Sequence, residues 1–210
     1  MKKFITSFIV LAICINYAYA CSCVMAKPNF MLFIRNEVIF AGKIIAIKHE
    51  NTNTDKVTFK IYKRYKGVGN NTTITISTNA GNGMCGINGN LGEEFLIFAN
   101  QNGDHDLKTD ICMHSGLAKN TSAEFSMLNS IKRKGNKWYE NNSLKAIGEM
   151  KDDKEEGKWQ FFEKGKMIME GNYQNGKQEG DWTMYSVQKD GSVIASHVNF
   201  VKGELIDREK

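Results

Sequence analysis

Four cysteines that survive the removal of an export signal constrain this chain more than any other feature. Lys2 and Lys3 form a basic start. Phe4 to Ile15 is an apolar run too short to span a bilayer comfortably, and Ala18-Tyr19-Ala20 is a small-x-small cleavage site. Cys14 leaves with that segment (residues 1–20), so the expected mature chain begins at Cys21 and keeps Cys21, Cys23, Cys85 and Cys112. In an exported chain four cysteines read as two disulfides, and sequence alone leaves three pairings open. Cys21 and Cys23 are a poor geometric match for each other, so each is expected to reach a distant partner. A cysteine directly after the cut is also the lipid-attachment site of bacterial lipoproteins. That second reading lacks the usual leucine three places back, and it would block both the thiol and the α-amine of Cys21.

Downstream of the signal no apolar stretch is long enough for a transmembrane helix. Removing Lys2 and Lys3 takes the formal net charge from +5 to +3, which gives no case for a nucleic-acid partner. The remaining length suits one medium domain or two small ones.

Residues 38–47, VIFAGKIIAI, are almost continuously apolar and predict a central strand buried for most of its length. Val57, Phe59 and Ile61 alternate with polar residues over 57–65, residues 73–77 (TITIS) alternate cleanly, and 95–99 (FLIFA) form a second buried run. Asn102-Gly103 carries a tight-hairpin signal, leading to a strand near His105 to Thr109. Five short strands of this kind predict a closed or nearly closed antiparallel barrel. Thr121 and Glu124 form a capping-box pattern, followed by an apolar stripe of Phe125, Met127, Leu128 and Ile131. Lys132, Arg133 and Lys134 suit a helix C-terminus, with Gly135 as the C-cap. A further helix is expected over about Phe30 to Asn36.

From residue 136 to 210 the character changes. Gly148, Met150, Gly157, Trp159 and Phe162 recur, at one constant step, as Gly171, Tyr173, Gly180, Trp182 and Tyr185. A truncated third copy runs from Asn199-Phe200 to Lys202-Gly203-Glu204. Such units predict short β-hairpins with inward aromatics that gain a core by stacking. The aromatic ladder reads first as core packing and only second as a ligand groove.

Residues 21–135 resemble the N-terminal, netrin-like domain of the tissue inhibitors of metalloproteinases. The likeness rests on Cys21-Ser22-Cys23-Val24 at the cleavage site, then Pro28, Tyr65-Lys66-Gly67, Met84-Cys85-Gly86, Glu93-Glu94-Phe95-Leu96-Ile97 and a late Cys112, in that order. The resemblance implies an OB-like five-stranded barrel with flanking helices, and the pairings Cys21–Cys85 and Cys23–Cys112. It also implies a function: inhibition of zinc metalloendopeptidases. The α-amine and carbonyl of Cys21 would chelate the partner's catalytic zinc, a metal ligand acting in trans. Ser22 would enter the specificity pocket, Cys23 and Val24 would continue along the cleft, and Gly83 and Met84 would lie alongside. No intrinsic cofactor is implied. Two features depart from the family: its third disulfide in this domain is absent, and its cysteine-rich second domain is replaced by the glycine-aromatic units. Those units are similar to the MORN-type repeats of bacterial proteins and offer a surface for an envelope partner.

Other functions are less well supported. His49, His105, His114 and His197 are scattered, with no HExxH and no nucleophile elbow, so the chain is not expected to be an enzyme. Cys21-Ser22-Cys23 and Cys112-Met113-His114 would offer soft metal ligands only if reduced. The main alternative is a non-inhibitory exported binding or scaffold module, lipid-anchored in a bacterial envelope. Either way the location is secreted, periplasmic or at the cell envelope.

Overall fold

The structure, a computed structural model, describes residues 23–81, 84–101, 106–141 and 143–206. The export signal, Cys21, Ser22, Gly83 and the Asn102-Gly103 hairpin signal lie outside them, as does His105.

The chain is mainly β. The first sheet comprises β1 (Val38–Asn51), β2 (Thr54–Lys66), β3 (Thr73–Asn79), β4 (Glu94–Gln101), β5 (Leu107–Thr109) and the two-residue β6 (Gly116–Leu117). It runs in the order β1-β2-β3-β5-β4-β6, and β1 also pairs with β4, so five strands close into a barrel. The barrel is not wholly antiparallel, as the sequence pattern suggested. β3 and β5 run parallel, with Ser77 opposite Lys108 and Thr78 opposite Thr109. The reason is arithmetic: an odd ring cannot alternate direction all the way round.

The two continuous apolar runs are explained by burial on both faces. On β1, Val38, Phe40 and Ile44 enter the barrel interior, as do Phe95, Ile97 and Ala99 on β4, with Val57, Phe59 and Ile76 around them. The alternate residues Ile39, Ala41, Leu96 and Phe98 point the other way, into a second core.

That second core is roofed by two helices and a second sheet. Helix α1 (Phe30–Arg35) starts at Asn29, whose Oδ1 accepts from Met31 N at 3.0 Å and Leu32 N at 3.3 Å. Phe30, Phe33 and Ile34, spaced i, i+3, i+4, make its buried stripe. Helix α2 (Ser122–Ser130) contributes Met127 and Leu128. Its expected capping box does not form. Thr121 makes no side-chain cap bond, and Glu124 instead binds His114 Nδ1 at 2.9 Å. The helix also ends before Ile131. Lys132, Arg133 and Lys134 belong to β7 (Ile131–Lys134), and Gly135 is a turn residue between β7 and β8 (Lys137–Glu140), not a C-cap.

The second sheet continues as an antiparallel meander. After β8 come β9 (Leu144–Lys151), β10 (Lys154–Glu163), β11 (Lys166–Gln174), β12 (Lys177–Val187), β13 (Val193–Val201) and β14 (Glu204–Ile206). Matching residues of the two copies make matching contacts. A Cβ at Gly148 would overlap the Trp159 indole, and one at Gly171 would overlap that of Trp182. Trp159 Nε1 donates to Glu149 O at 3.1 Å, and Trp182 Nε1 to Asn172 O at 3.2 Å. Glu156 Oε2 accepts from the turn amide of Asn175, and Glu179 Oε2 from that of Lys202. Trp159, Tyr173, Trp182 and Phe200 form a chain of edge-on ring contacts between 5.2 and 6.0 Å. Phe162 and Tyr185 depart from the expectation of inward aromatics. Each lies an odd number of residues from its tryptophan, so it faces the opposite side of the strand. There Lys145 sits over the Phe162 ring and Tyr185 donates to Glu170.

The two sheets share one core. Phe33 meets Trp138 edge-on at 5.1 Å. Beside it, Lys66 is almost fully buried. Its Nζ lies 2.8 Å from Glu155 Oε1, a residue of the second sheet, and donates to Ile34 O at 3.0 Å and Phe33 O at 3.4 Å. A cation at the C-terminal carbonyls of α1 also complements the helix dipole. Glu155 in turn faces the buried Tyr173, whose hydroxyl is pushed well above its ordinary pKa, chiefly by burial and then by this carboxylate.

Candidate functional site

Cys23 opens the described chain and is joined to Cys112 by a disulfide across 89 residues of sequence, with Cα atoms 5.2 Å apart. Cys112 sits in a short helical turn, Ile111–Met113, set by Asp110, whose carboxylate accepts from Met113 N at 3.0 Å. Cys85 is disulfide-bonded as well; its expected partner Cys21 lies outside the described residues. The sulfurs of Cys23, Cys85 and Cys112 fall within 4.8 Å of one another. Oxidised sulfurs offer no thiolate, and His114 Nδ1 is turned to Glu124, so this cluster reads as a covalent staple.

The staple gathers three separate segments. The N-terminal segment passes on to Val24, Met25 and Lys27, all exposed, with Val24 fully so. The segment after β3 carries Met84, also exposed, and Cys85, whose carbonyl accepts from Ile111 N at 2.8 Å. It is anchored by Ile87 N donating to Thr78 Oγ1 at 2.9 Å. Gly86 passes so close to Asn79 that a Cβ would overlap its carbonyl. The third segment presents Ile111, again exposed. Of the residues expected from sequence, Cys23, Val24, Met84, Cys85 and Cys112 are therefore brought to one end of the barrel. Cys21, Ser22 and Gly83 lie outside the described residues.

Met25 and Ile111 were not singled out from sequence. Ile111 is detectable only through the Asp110 turn signal beside Cys112, which is weak by itself. What the described part of this site can do is present exposed apolar side chains beside a covalent cross-link, a stapled ridge. Val24, Met25, Met84 and Ile111 are solvent-exposed, yet the backbone beneath two of them is fixed by a disulfide and hydrogen bonds.

A second concavity, of about 250 Å³, lies where Glu37, Asn100 and Gln101 of the barrel meet Tyr173, Lys177 and Lys202 of the second sheet. Burial raises the Glu37 carboxyl above its ordinary range, opposed by Lys177 at 4.0 Å. Glu37 Oε1 accepts from Gln101 N at 3.2 Å, so this carboxylate is tied into the joint between the sheets.

No helix among the described residues is long and apolar enough to cross a membrane. Comparison with protein-family models finds no match to this chain, and comparison with curated proteins finds none either.

Proposed function

We propose that this protein is an exported inhibitor of zinc metalloendopeptidases that acts through its mature N-terminus. The observation that carries the reading is the stapled ridge. A segment exposed from Val24 onward is cross-linked through Cys23 to Cys112, with the Cys85 sulfur within 4.8 Å of theirs and Met84 and Ile111 exposed on the neighbouring segments. The closed five-stranded barrel supports the same reading, because it fits an OB-like fold, the architecture that the resemblance to the tissue inhibitors of metalloproteinases implies.

The chemistry is coordination. A catalytic zinc keeps one position open and can expand to five ligands, so an incoming amine and carbonyl can replace its water. The α-amine and carbonyl of Cys21 supply that pair, and the amine binds unprotonated. Its ordinary pKa of about 7.7–8.0 makes the deprotonation penalty near neutral pH small. Ser22 fills the pocket beside the metal, Val24 follows the cleft, and Gly83 and Met84 flank it. The disulfides remove ordering entropy before binding, so less of the interaction energy is lost when the complex forms. No scissile bond crosses the zinc, because the chain starts there.

The test is a protein with one extra residue before Cys21, compared with the correctly processed form against a panel of zinc endopeptidases. Inhibition by the processed form and its loss on extension are expected. Equal inhibition by both would overturn the mechanism. A diacylglycerol adduct on Cys21, read by intact mass of the natively exported protein, would instead favour the anchored binding module.

A further inference from the structure

The second sheet carries an uncompensated cluster of positive charge that the N-terminal reading does not use. Residues 131–151 hold six cations (Lys132, Arg133, Lys134, Lys137, Lys145, Lys151) against two acids (Glu140, Glu149), an excess of four in a chain whose total is +5. The register shows which of them share a face. Lys134 stands opposite Lys137 and Lys132 opposite Tyr139, while Tyr139 also stands opposite Lys145. Directly opposed residues point to the same side of a sheet, so four lysines and one tyrosine lie together. Arg133 does not join them: it stacks over Trp138 on the other side and faces Asp153 at 3.7 Å.

Like charges opposed across a strand pair are destabilising. Elsewhere on this face the sheet neutralises its lysine, since Lys158 pairs with Glu170 at 2.9 Å. Among the described residues, none of Lys132, Lys134, Lys137 and Lys145 forms an ion pair. At the margin of the patch is a concavity of about 770 Å³, lined by Asn129, Ser130, Lys132, Arg133, Lys134, Tyr139 and Asn141, so that Arg133 reaches its edge from the other side of the strand. Lys63 brings a further ammonium to its rim, 2.8 Å from Asn129 Oδ1.

We propose that this face of β7, β8 and β9, with the adjoining concavity, docks an anionic polysaccharide bearing sulfate or phosphate groups. The lysines meet the anionic groups as point charges. The amides of Asn129 and Asn141 and the hydroxyls of Ser130 and Tyr139 match the donors and acceptors of sugar hydroxyls. An anionic bilayer would attract the same lysines but is the poorer partner, because durable binding there adds protruding apolar anchors. Among the described residues, none of the large exposed hydrophobics falls between residues 131 and 151. None of these residues belongs to the N-terminal site, so the two proposals stand or fall separately.

The experiment is calorimetric titration of the full-length mature protein with dextran sulfate, with unsulfated dextran as the blank. Lys132→Gln, Lys134→Gln and Lys137→Gln are combined in one variant. Three exposed lysines elsewhere, Lys48→Gln, Lys108→Gln and Lys119→Gln, make a charge-matched control. The patch variant is expected to bind at least about 30-fold more weakly, and the control within about threefold of wild type. If the triple variant fails to fold, Lys137→Gln alone is expected to flatten the slope of log affinity against log salt by about one unit. Equal losses in the two triple variants would mean bulk charge attraction and overturn the proposal. So would tighter binding, charge for charge, to phosphatidylglycerol vesicles than to dextran sulfate.

Discussion

At the scale of single residues, Lys66 shows how a sequence motif can mean something other than it first suggests. Within Tyr65-Lys66-Gly67 it served as a mark of resemblance. In the fold it is a buried cation that ties the end of α1 to Glu155 of the second sheet. Two charges removed from water are tolerated only when paired and hydrogen-bonded, and Lys66 has both conditions met. Lys66→Met should therefore destabilise the protein by about 3–5 kcal/mol, because Glu155 is left charged in an apolar place. The paired variant Lys66→Met with Glu155→Leu should recover most of that loss, since two apolar side chains carry no desolvation penalty. Urea denaturation of the two variants checks this. A double variant as unstable as the single one would mean that the pair contributes net stability rather than merely avoiding an unpaired charge.

At the scale of elements, the legible parts of the sequence were those fixed by local chemistry. The alternation in β2 and β3, the two apolar runs of β1 and β4, and the short helix after Asn29 all follow from side-chain periodicity and one cap. The end of α2 did not, although Lys132 to Gly135 carry every local signal of a helix terminus. There a competing local structure wins: Ile131–Lys134 folds back on Lys137–Glu140 as a hairpin across Gly135-Asn136, and the same residues that suit a helix terminus also suit that turn. Glu124 departs from its local pattern for another reason: its partner is His114, which the chain brings to it from outside the helix. In the candidate site, the cysteines and Met84 were legible as motif members. Met25 and Ile111 were not, because an exposed apolar residue carries no pattern. The glycine-tryptophan pairs of the second sheet are element-scale devices and can be tested as such. Gly171→Ala should destabilise by about 1–3 kcal/mol, because its methyl group would overlap the Trp182 indole. Gly116→Ala, whose Cβ would meet only Thr121 Cγ2 at 3.5 Å, should stay within about 0.5 kcal/mol of wild type. Thermal unfolding of both variants supplies the comparison.

At the scale of the whole molecule, the change of composition after the barrel suggests two independent parts, whereas the packing joins them. Phe30, Phe33 and Ile34 of α1, with Ile39 and Leu96 on the outside of the barrel, lie in the same cluster as Trp138, Trp159 and Trp182. Each large apolar side chain buried there contributes roughly 1.5–3 kcal/mol relative to exposure, an amount comparable with a marginal domain's whole stability when several are uncovered together. Cutting the chain after Gly135 would uncover that cluster and leave Lys66 without its carboxylate. The fragment 21–135 should therefore keep its Cys23–Cys112 bridge and its barrel strands yet lose fixed packing around α1. It should bind a hydrophobic dye strongly and show far-ultraviolet dichroism without a cooperative thermal transition. The full mature chain should melt in one step by both far- and near-ultraviolet dichroism. A fragment that unfolds as cooperatively as the whole would assign the shared core a minor part in stability. The N-terminal ridge would then depend on the barrel and its disulfides alone, whereas a loosened fragment would make the second sheet a structural support for that end of the barrel.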